Sequence, residues 1–229
     1  MPSFRWWFTG NLLMLALLLC AGCQVHPPGL PTPQEVEQAF EPHVVVDPKG
    51  QPLLRYRILK PARLQPGRKY PLVLVLHGAG ERGDDNVKQL THGARQFLAY
   101  TRSRPAFVVF PQCPKGTWWD GPSRYAPETQ QANVVPPLRQ VIALIDRLLQ
   151  QFPIDRSRLY VTGLSMGGYG THTIVAARPD LFAAALPICG GGDPRWVSRY
   201  RYTSFLVIHG QADQVISVEV SRQMVAAMR

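Results

Sequence analysis

Two hydrophobic rhythms alternate along the chain from His43 to its last residue. The first is an unbroken apolar run. Leu72 to Leu76, preceded by Tyr70-Pro71 and followed by His77-Gly78-Ala79-Gly80, is the clearest case. Such a run, closed by glycines, predicts a strand buried on both faces, as in a parallel sheet. RPAFVVFPQC, RLYVTGLS, FAAALPICGGG and SFLVIHGQAD repeat the pattern at residues 104–113, 158–165, 182–192 and 204–213. The second rhythm is helical. Leu138, Val141, Ile142, Ile145, Leu148 and Leu149 recur at three- and four-residue spacing behind Pro136-Pro137, which makes one apolar face and a proline start. Helices are also predicted over VKQLTHGARQFLAY, over YGTHTIVAARP up to Pro179, and over the closing stretch from Val218. Ahead of these, HVVVDPKGQPLLRYRIL reads as a hairpin turning at Asp47-Pro48-Lys49-Gly50. Strand and helix in alternation imply a mostly parallel sheet with helices on both faces, an α/β fold. Ligands of such sheets bind at the carboxyl ends of strands, where the glycine-rich stretches fall.

The amino-terminal segment has a different character. Arg5 and the apolar run Leu12 to Leu19 suit a secretory signal peptide over residues 1–22 and are short for a membrane span. Cys20-Ala21-Gly22-Cys23 resembles a bacterial lipobox, with cysteine where leucine is usual, so Cys23 is the expected lipidation site. Gln24 after it implies the outer membrane by the sorting rule of that class. An ordinary signal cleaved nearby is the alternative. Residues 23–42 read as the lipidated cysteine and a proline-rich tether, and the domain is expected over 43–229. Export would leave Cys113 and Cys189 in a compartment that permits a disulfide.

A chain of 229 residues, 45% hydrophobic, can bury one sizeable core. The net charge of +10 comes from scattered arginines without a dense basic run or an aromatic-basic motif, so a nucleic-acid partner is not expected.

The chemistry centres on Gly163-Leu164-Ser165-Met166-Gly167, a G-x-S-x-G between a predicted buried strand and a predicted helix. A sharp strand-to-helix turn exposes a serine hydroxyl and needs small residues two positions before and after it. Gly163 and Gly167 supply them. Ser165 is therefore the candidate nucleophile, with a plain glycine-rich turn as the alternative. Oxyanion donors are expected from the N–H of Met166 and from Ala79, or Gly80, in the loop after Leu76. Asp213 is the candidate acid, with Asp193 as its rival. Trp118-Trp119 either walls a pocket or packs as a loop.

HGAGERGDDN, PQCP followed by two tryptophans, YVTGLSMGGYGT, PICGGGDP and HGQADQVI resemble α/β-hydrolase esterases of the phospholipase/carboxylesterase and dienelactone-hydrolase kind, including prolyl-oligopeptidase-like predicted peptidases. The resemblance runs from about His43 to Arg229 in motif order. It implies an acyl-enzyme on Ser165, Asp213 as the triad acid, a small-molecule carboxylic ester as substrate in preference to a peptide, and no metal or organic cofactor. It also implies a sheet in which two strands separate those ending at Cys113 and Cys189. That gap is about 14 Å, so two unpaired cysteines are expected. The triad order in this fold is serine, acid, histidine. Residues 214–229 hold no histidine, so the last strand and its histidine loop are expected beyond Arg229. His77 reads as structural and His209 as packing. His172 would lie about 10 Å along the helix from Ser165, out of reach as a base. The competing reading is a non-catalytic binding lipoprotein, or an inactive product of an esterase gene.

Overall fold

The computed structural model describes residues 29–120 and 135–229. The expected signal peptide, Cys23 and the start of the tether lie outside the described residues. Among the described residues, no helix is long and apolar enough to cross a membrane.

A short helix, α1 (Pro33–Ala39), precedes the hairpin of β1 (Glu41–Val46) and β2 (Pro52–Leu59). The hairpin turns where the sequence places it. One Asp47 carboxylate oxygen accepts the N–H groups of Lys49 and Gln51, and Gly50 adopts φ 80°. Then follow β3 (Tyr70–Leu76), α2 (Ala94–Thr101), β4 (Phe107–Gln112), α3 (Pro136–Gln151), β5 (Ile154–Leu164), α4 (Met166–Ala177), β6 (Ala184–Ile188), β7 (Ser204–Phe205) and α5 (Glu219–Ala227). The sheet order is β1-β2-β4-β3-β5-β6-β7, antiparallel through β2–β4 and parallel from there on. The α/β reading holds: this is a mostly parallel seven-stranded sheet with helices.

Side-chain alternation along the strands divides the core in two. Leu72, Leu74 and Leu76 of β3 join Val109 and Val161 in a cluster with Leu138, Val141, Ile145 and Ile174 of α3 and α4. Val73 and Val75 of the same strand join Val108, Phe110, Ala94 and Phe97 in a second cluster. Both faces of β3 are thus buried, which is why its sequence reads as a continuous apolar run.

Three expectations change in the structure. The packed domain starts ahead of His43. Thr32 caps α1 through a reciprocal capping box with Glu35, and Val36 and Phe40 join the second cluster. Arg57, buried on β2, fastens that segment by donating to the carbonyls of Glu37, Phe40 and Asn86. The prolines of the stretch suggest a tether, but Pro33 sits at the first helical position, where its missing N–H costs nothing. The helix expected over 87–100 is divided, because Gly93 takes φ 85° between a 3-10 turn at Lys88–Leu90 and α2. The last strand is also shorter than its apolar run. Regular pairing ends at Phe205, although the N–H groups of Leu206 and Ile208 still donate to β6 carbonyls. It is an edge strand, with one neighbour among the described residues.

Phe40 is fully buried and meets Phe110 edge-on at 5.4 Å. Phe40→Ala should lower the unfolding free energy by about 3–5 kcal/mol in a urea titration. A loss below about 1 kcal/mol would place α1 outside the cooperative core.

Candidate active site

The sequence requires a sharp turn at Ser165, and the backbone there is strained. Ser165 sits between the end of β5 and the start of α4 with φ 55° and ψ −114°. Such a conformation costs a non-glycine residue about 1–3 kcal/mol. Its N–H donates to Ile188 O at 2.8 Å, and its carbonyl accepts from Tyr169 N–H at 3.2 Å. The flanking glycines are sterically obligatory. A Cβ on Gly163 would lie 2.2 Å from Gly167 O, and one on Gly167 would lie 1.9 Å from Leu76 O. Backbone atoms stand in both places, so no rotamer change relieves the clash.

The loop after β3 folds back against this turn. A Cβ built on Gly78 would be 3.9 Å from Ser165 Cβ. Ala79 opens a 3-10 turn over Ala79–Glu81, and Met166 opens α4. The N–H groups of first-turn residues have no acceptor within their own helix. Gly80 follows in the same turn.

His77 is structural, as its sequence context suggests. The Cys113 N–H donates to His77 Nε2 at 2.9 Å, so the ring proton is on Nδ1 and donates to Gly78 O at 2.6 Å. Burial lowers its pKa to about 4 and keeps the ring neutral. The Trp118-Trp119 pair divides its duties. Trp119 is fully buried, donates its indole N–H to His77 O at 3.1 Å and packs behind the loop. Trp118 is on the surface, with the Arg82 guanidinium 4.4 Å from its ring centroid.

Asp213 lies beyond the end of the β7 segment. Its Oδ1 accepts from Val215 N–H at 2.8 Å and Ile216 N–H at 3.0 Å. Those two donors hold its pKa below the usual carboxylate value against the opposing effect of desolvation, and Cys189 and His209 lower it further. Asp193, the rival acid, is committed elsewhere: it caps the turn at Pro194–Arg199 and pairs with Arg195. Ser165 ends β5 and Asp213 follows β7, with β6 between them.

Among the described residues, no imidazole hydrogen-bonds the Ser165 hydroxyl. His43 stacks on Tyr56, and His92 pairs with Glu81 at 3.5 Å. His172 is wholly buried against Phe205 and Tyr200, with no partner for either ring nitrogen, and burial lowers its pKa to about 3. His209 contacts Ser221 and Ile216. Neither Cys113 nor Cys189 is in a disulfide. Their strands are separated by β3 and β5, and burial pushes the Cys113 thiol up to about 11. The sequence reading expects Cys189 outside a disulfide, as the structure has it, and assigns it no role. Its position beside Asp213 and His209 comes from φ 48° at the end of β6, which no residue pattern announces. A groove of about 460 Å³, lined by Val73, Tyr100, Tyr160 and Leu186, lies on the α2 side of the sheet. None of the candidate site residues lines it.

Comparison with known proteins bears on the same elements. The prolyl oligopeptidase family matches residues 107–198, from β4 through the Ser165 turn to beyond β6. A solved thermostable esterase superposes with a TM-score of 0.74 at 40% identity, over 84% of this chain and 52% of that one. The chain has the α/β-hydrolase fold. Poly(3-hydroxyalkanoate) depolymerase C of Paucimonas lemoignei is 31% identical over 53% of this chain and 28% of its own length. Acetylxylan esterase A of Emericella nidulans is 30% identical over 44% of this chain and 33% of its own. A Mycobacterium tuberculosis puromycin-hydrolyzing peptidase shares the fold, with a TM-score of 0.61 at 18% identity, over 82% of this chain and 33% of that one. The chain thus spans about half of the solved esterase and a third or less of the other relatives.

Two outcomes follow from the geometry. Gly167→Ala should destabilise the fold by more than about 1–3 kcal/mol, because the clash is with backbone. A stability within about 0.5 kcal/mol of the parent would show that the approach to Leu76 is not constrained. His77 and His172 are held neutral with pKa values near 4 and 3, below the ordinary 6.5. The unfolded chain therefore binds more protons at acid pH. Stability is full above about pH 6.5 and falls as pH drops toward 4, by up to about 1.4 kcal/mol per unit for each ring. His172→Leu should flatten that slope by one proton in urea titrations across the window, and an unchanged slope would contradict it.

Proposed function

We propose that this protein is a serine hydrolase of carboxylic esters that works through an acyl-enzyme on Ser165. The observation that carries the reading is the strained Ser165 turn, with glycines that cannot be replaced and the Gly78–Gly80 loop against it. The Ser165 hydroxyl attacks the ester carbonyl and its proton passes to a histidine. The carbonyl oxygen becomes an oxyanion that accepts from the N–H groups of Met166 and Ala79, with Gly80 as the second choice in the loop. Each such donor contributes about 3 kcal/mol to the transition state. The histidine then protonates the leaving alcohol, and water attacks the acyl-enzyme by the same route in reverse. Asp213, held ionised by two backbone N–H groups, orients the histidine and stabilises its charged form.

The base in this mechanism is a histidine outside the described residues, reaching the space between Ser165 and Asp213. The partial coverage of the relatives supports that placement. Ester rather than peptide hydrolysis is favoured because the relatives of 30% identity or more cited above include two esterases beside a poly(3-hydroxyalkanoate) depolymerase. The proposed setting is export, with Cys23 carrying lipid and anchoring the domain to a membrane.

The test begins with the coding sequence past the Arg229 codon. It should continue into a strand pattern and then a loop with a histidine. The protein including that segment should hydrolyse short-chain p-nitrophenyl esters. Ser165→Ala and substitution of that histidine should each lower kcat by about 10³-fold or more, and His92→Ala should leave it unchanged. Ester hydrolysis that survives in Ser165→Ala would overturn the proposal. A stop codon directly after Arg229, with no hydrolysis above background, would leave the non-catalytic reading in its place.

A further inference from the structure

Two segments, the end of β6 and the stretch after β7, bring a thiol, an imidazole and a carboxylate together. The ligand-type atoms of Cys189, His209 and Asp213 all lie within 4.8 Å of one another, and His209 Nε2 is 3.5 Å from Asp213 Oδ2. A tetrahedral zinc ion with ordinary Zn–S, Zn–N and Zn–O bonds holds its ligand atoms about 3.3–3.6 Å apart. The cluster is therefore within small side-chain adjustments of a coordination shell. We propose that Cys189, His209 and Asp213 form a binding site for a zinc-like divalent cation.

The hydrogen bonds around His209 supply an independent argument. Ser221 Oγ is 2.8 Å from Gly190 O and 2.7 Å from His209 Nδ1. A hydroxyl has one proton. If Ser221 donates it to Gly190 O, then Nδ1–H must donate to Ser221. The other nitrogen, Nε2, then faces only oxygens: Ile216 O at 2.9 Å and Asp213 Oδ2 at 3.5 Å. A lone pair there is repelled, so Nε2 needs a proton or a metal ion. If Ser221 instead donates to Nδ1, Gly190 O is left facing Ser221 Oγ without a proton between them. A proton or a metal ion on Nε2 completes the chain from His209 through Ser221 to Gly190, and a metal ion takes the place of the proton shared with the Ile216 carbonyl, which must move aside for it.

The surroundings of the other ligands agree. Nδ1–H to Ser221 to Gly190 O is the kind of outer hydrogen-bond chain that fixes a ligating ring. Asp213 Oδ1 accepts the N–H groups of Val215 and Ile216, and the Cys189 thiol hydrogen-bonds the Asp213 carboxylate, so the ion would replace that thiol proton between the two. Cys189 is brought to the cluster by its φ of 48°. The His209 side chain is 3% exposed and that of Asp213 is 18%, so the cluster is walled on one side and reached by solvent on the other. Water can supply a fourth ligand from there. A thiolate with an imidazole selects zinc, cobalt or cadmium over magnesium or calcium. Binding releases the Cys189 thiol proton, and any proton on Nε2, to solvent.

One consequence rests on the proposed hydrolase function. An ion on Oδ2 competes with the catalytic histidine for Asp213. Zinc occupancy would then lower ester hydrolysis, and a chelator would restore it.

The direct test reads metal binding and no catalysis. Metal-free full chain is titrated with Co²⁺ and followed by absorption. One equivalent should bind with the visible bands of a tetrahedral ion and a thiolate charge-transfer band, and zinc should displace it. Cys189→Ser should lose the charge-transfer band and bind at least about tenfold more weakly. Ser221→Ala should keep the band and weaken binding about 10–100-fold. That second variant carries the test if Cys189→Ser does not fold. No stoichiometric cobalt binding overturns the site, as does binding unaltered in Cys189→Ser or, where that variant fails to fold, in Ser221→Ala. A chain that binds cobalt without hydrolysing esters keeps this site and loses the hydrolase reading. One that hydrolyses esters without binding cobalt does the reverse.

Discussion

Among the described glycines, the tightest approach is that of Gly167 to the end of β3. No side-chain atom fits between the start of α4 and the Leu76 carbonyl, because a Cβ on Gly167 would stand 1.9 Å from that oxygen. The approach fixes α4 against the parallel sheet and forces the chain to turn within one residue. Ser165 bears the resulting strain, and the hydrogen bond from its N–H to Ile188 O ties the turn to β6. Packing of α3 and α4 on the leucines of β3 holds both sides of the turn in place. Strain at one residue is thus maintained by burial spread over the first core cluster.

The loop beside Ser165 is fixed from behind by a second set of contacts. His77 bridges Gly78 O and the Cys113 N–H, and Trp119 closes on the His77 carbonyl. Gln112, at the end of β4, gathers the chain that follows. Its side chain accepts from Asn86 N–H and donates to Glu81 O and Asp85 Oδ1. Asn86 in turn gives its carbonyl to Arg57, which also holds α1. The amino-terminal helix is thereby connected, through buried polar groups, to the loop that would bind an oxyanion. Each of those groups is satisfied by named partners, which is the condition for a buried polar network to rigidify its surroundings.

Much of this was legible from residue patterns, for identifiable reasons. Leu72–Leu76 announced a strand buried on both faces, and Gly163 and Gly167 announced the turn, because sterics leave those positions little choice. Asp213 could be placed at a strand end from order alone. The domain start was misjudged because prolines that suit a tether also suit the first turn of a helix, and the burial of Val36 and Phe40 depends on contacts with β4 and α2 that no local pattern encodes. The division of the 87–100 stretch turned on a left-handed Gly93, a choice set by tertiary packing. The grouping of Cys189 with His209 and Asp213 depends on one positive φ and on the register of β6 beside the β7 segment. Sequence separation concealed it.

The central claim is that the Ser165 hydroxyl is presented as a nucleophile by this geometry. Its most direct test is incubation of the protein with a fluorophosphonate, followed by peptide mass spectrometry. The account predicts one covalent phosphonyl adduct, located on Ser165, that disappears on prior heat unfolding. Modification of folded protein at another serine, or none at Ser165 with its histidine-bearing segment present, would contradict it.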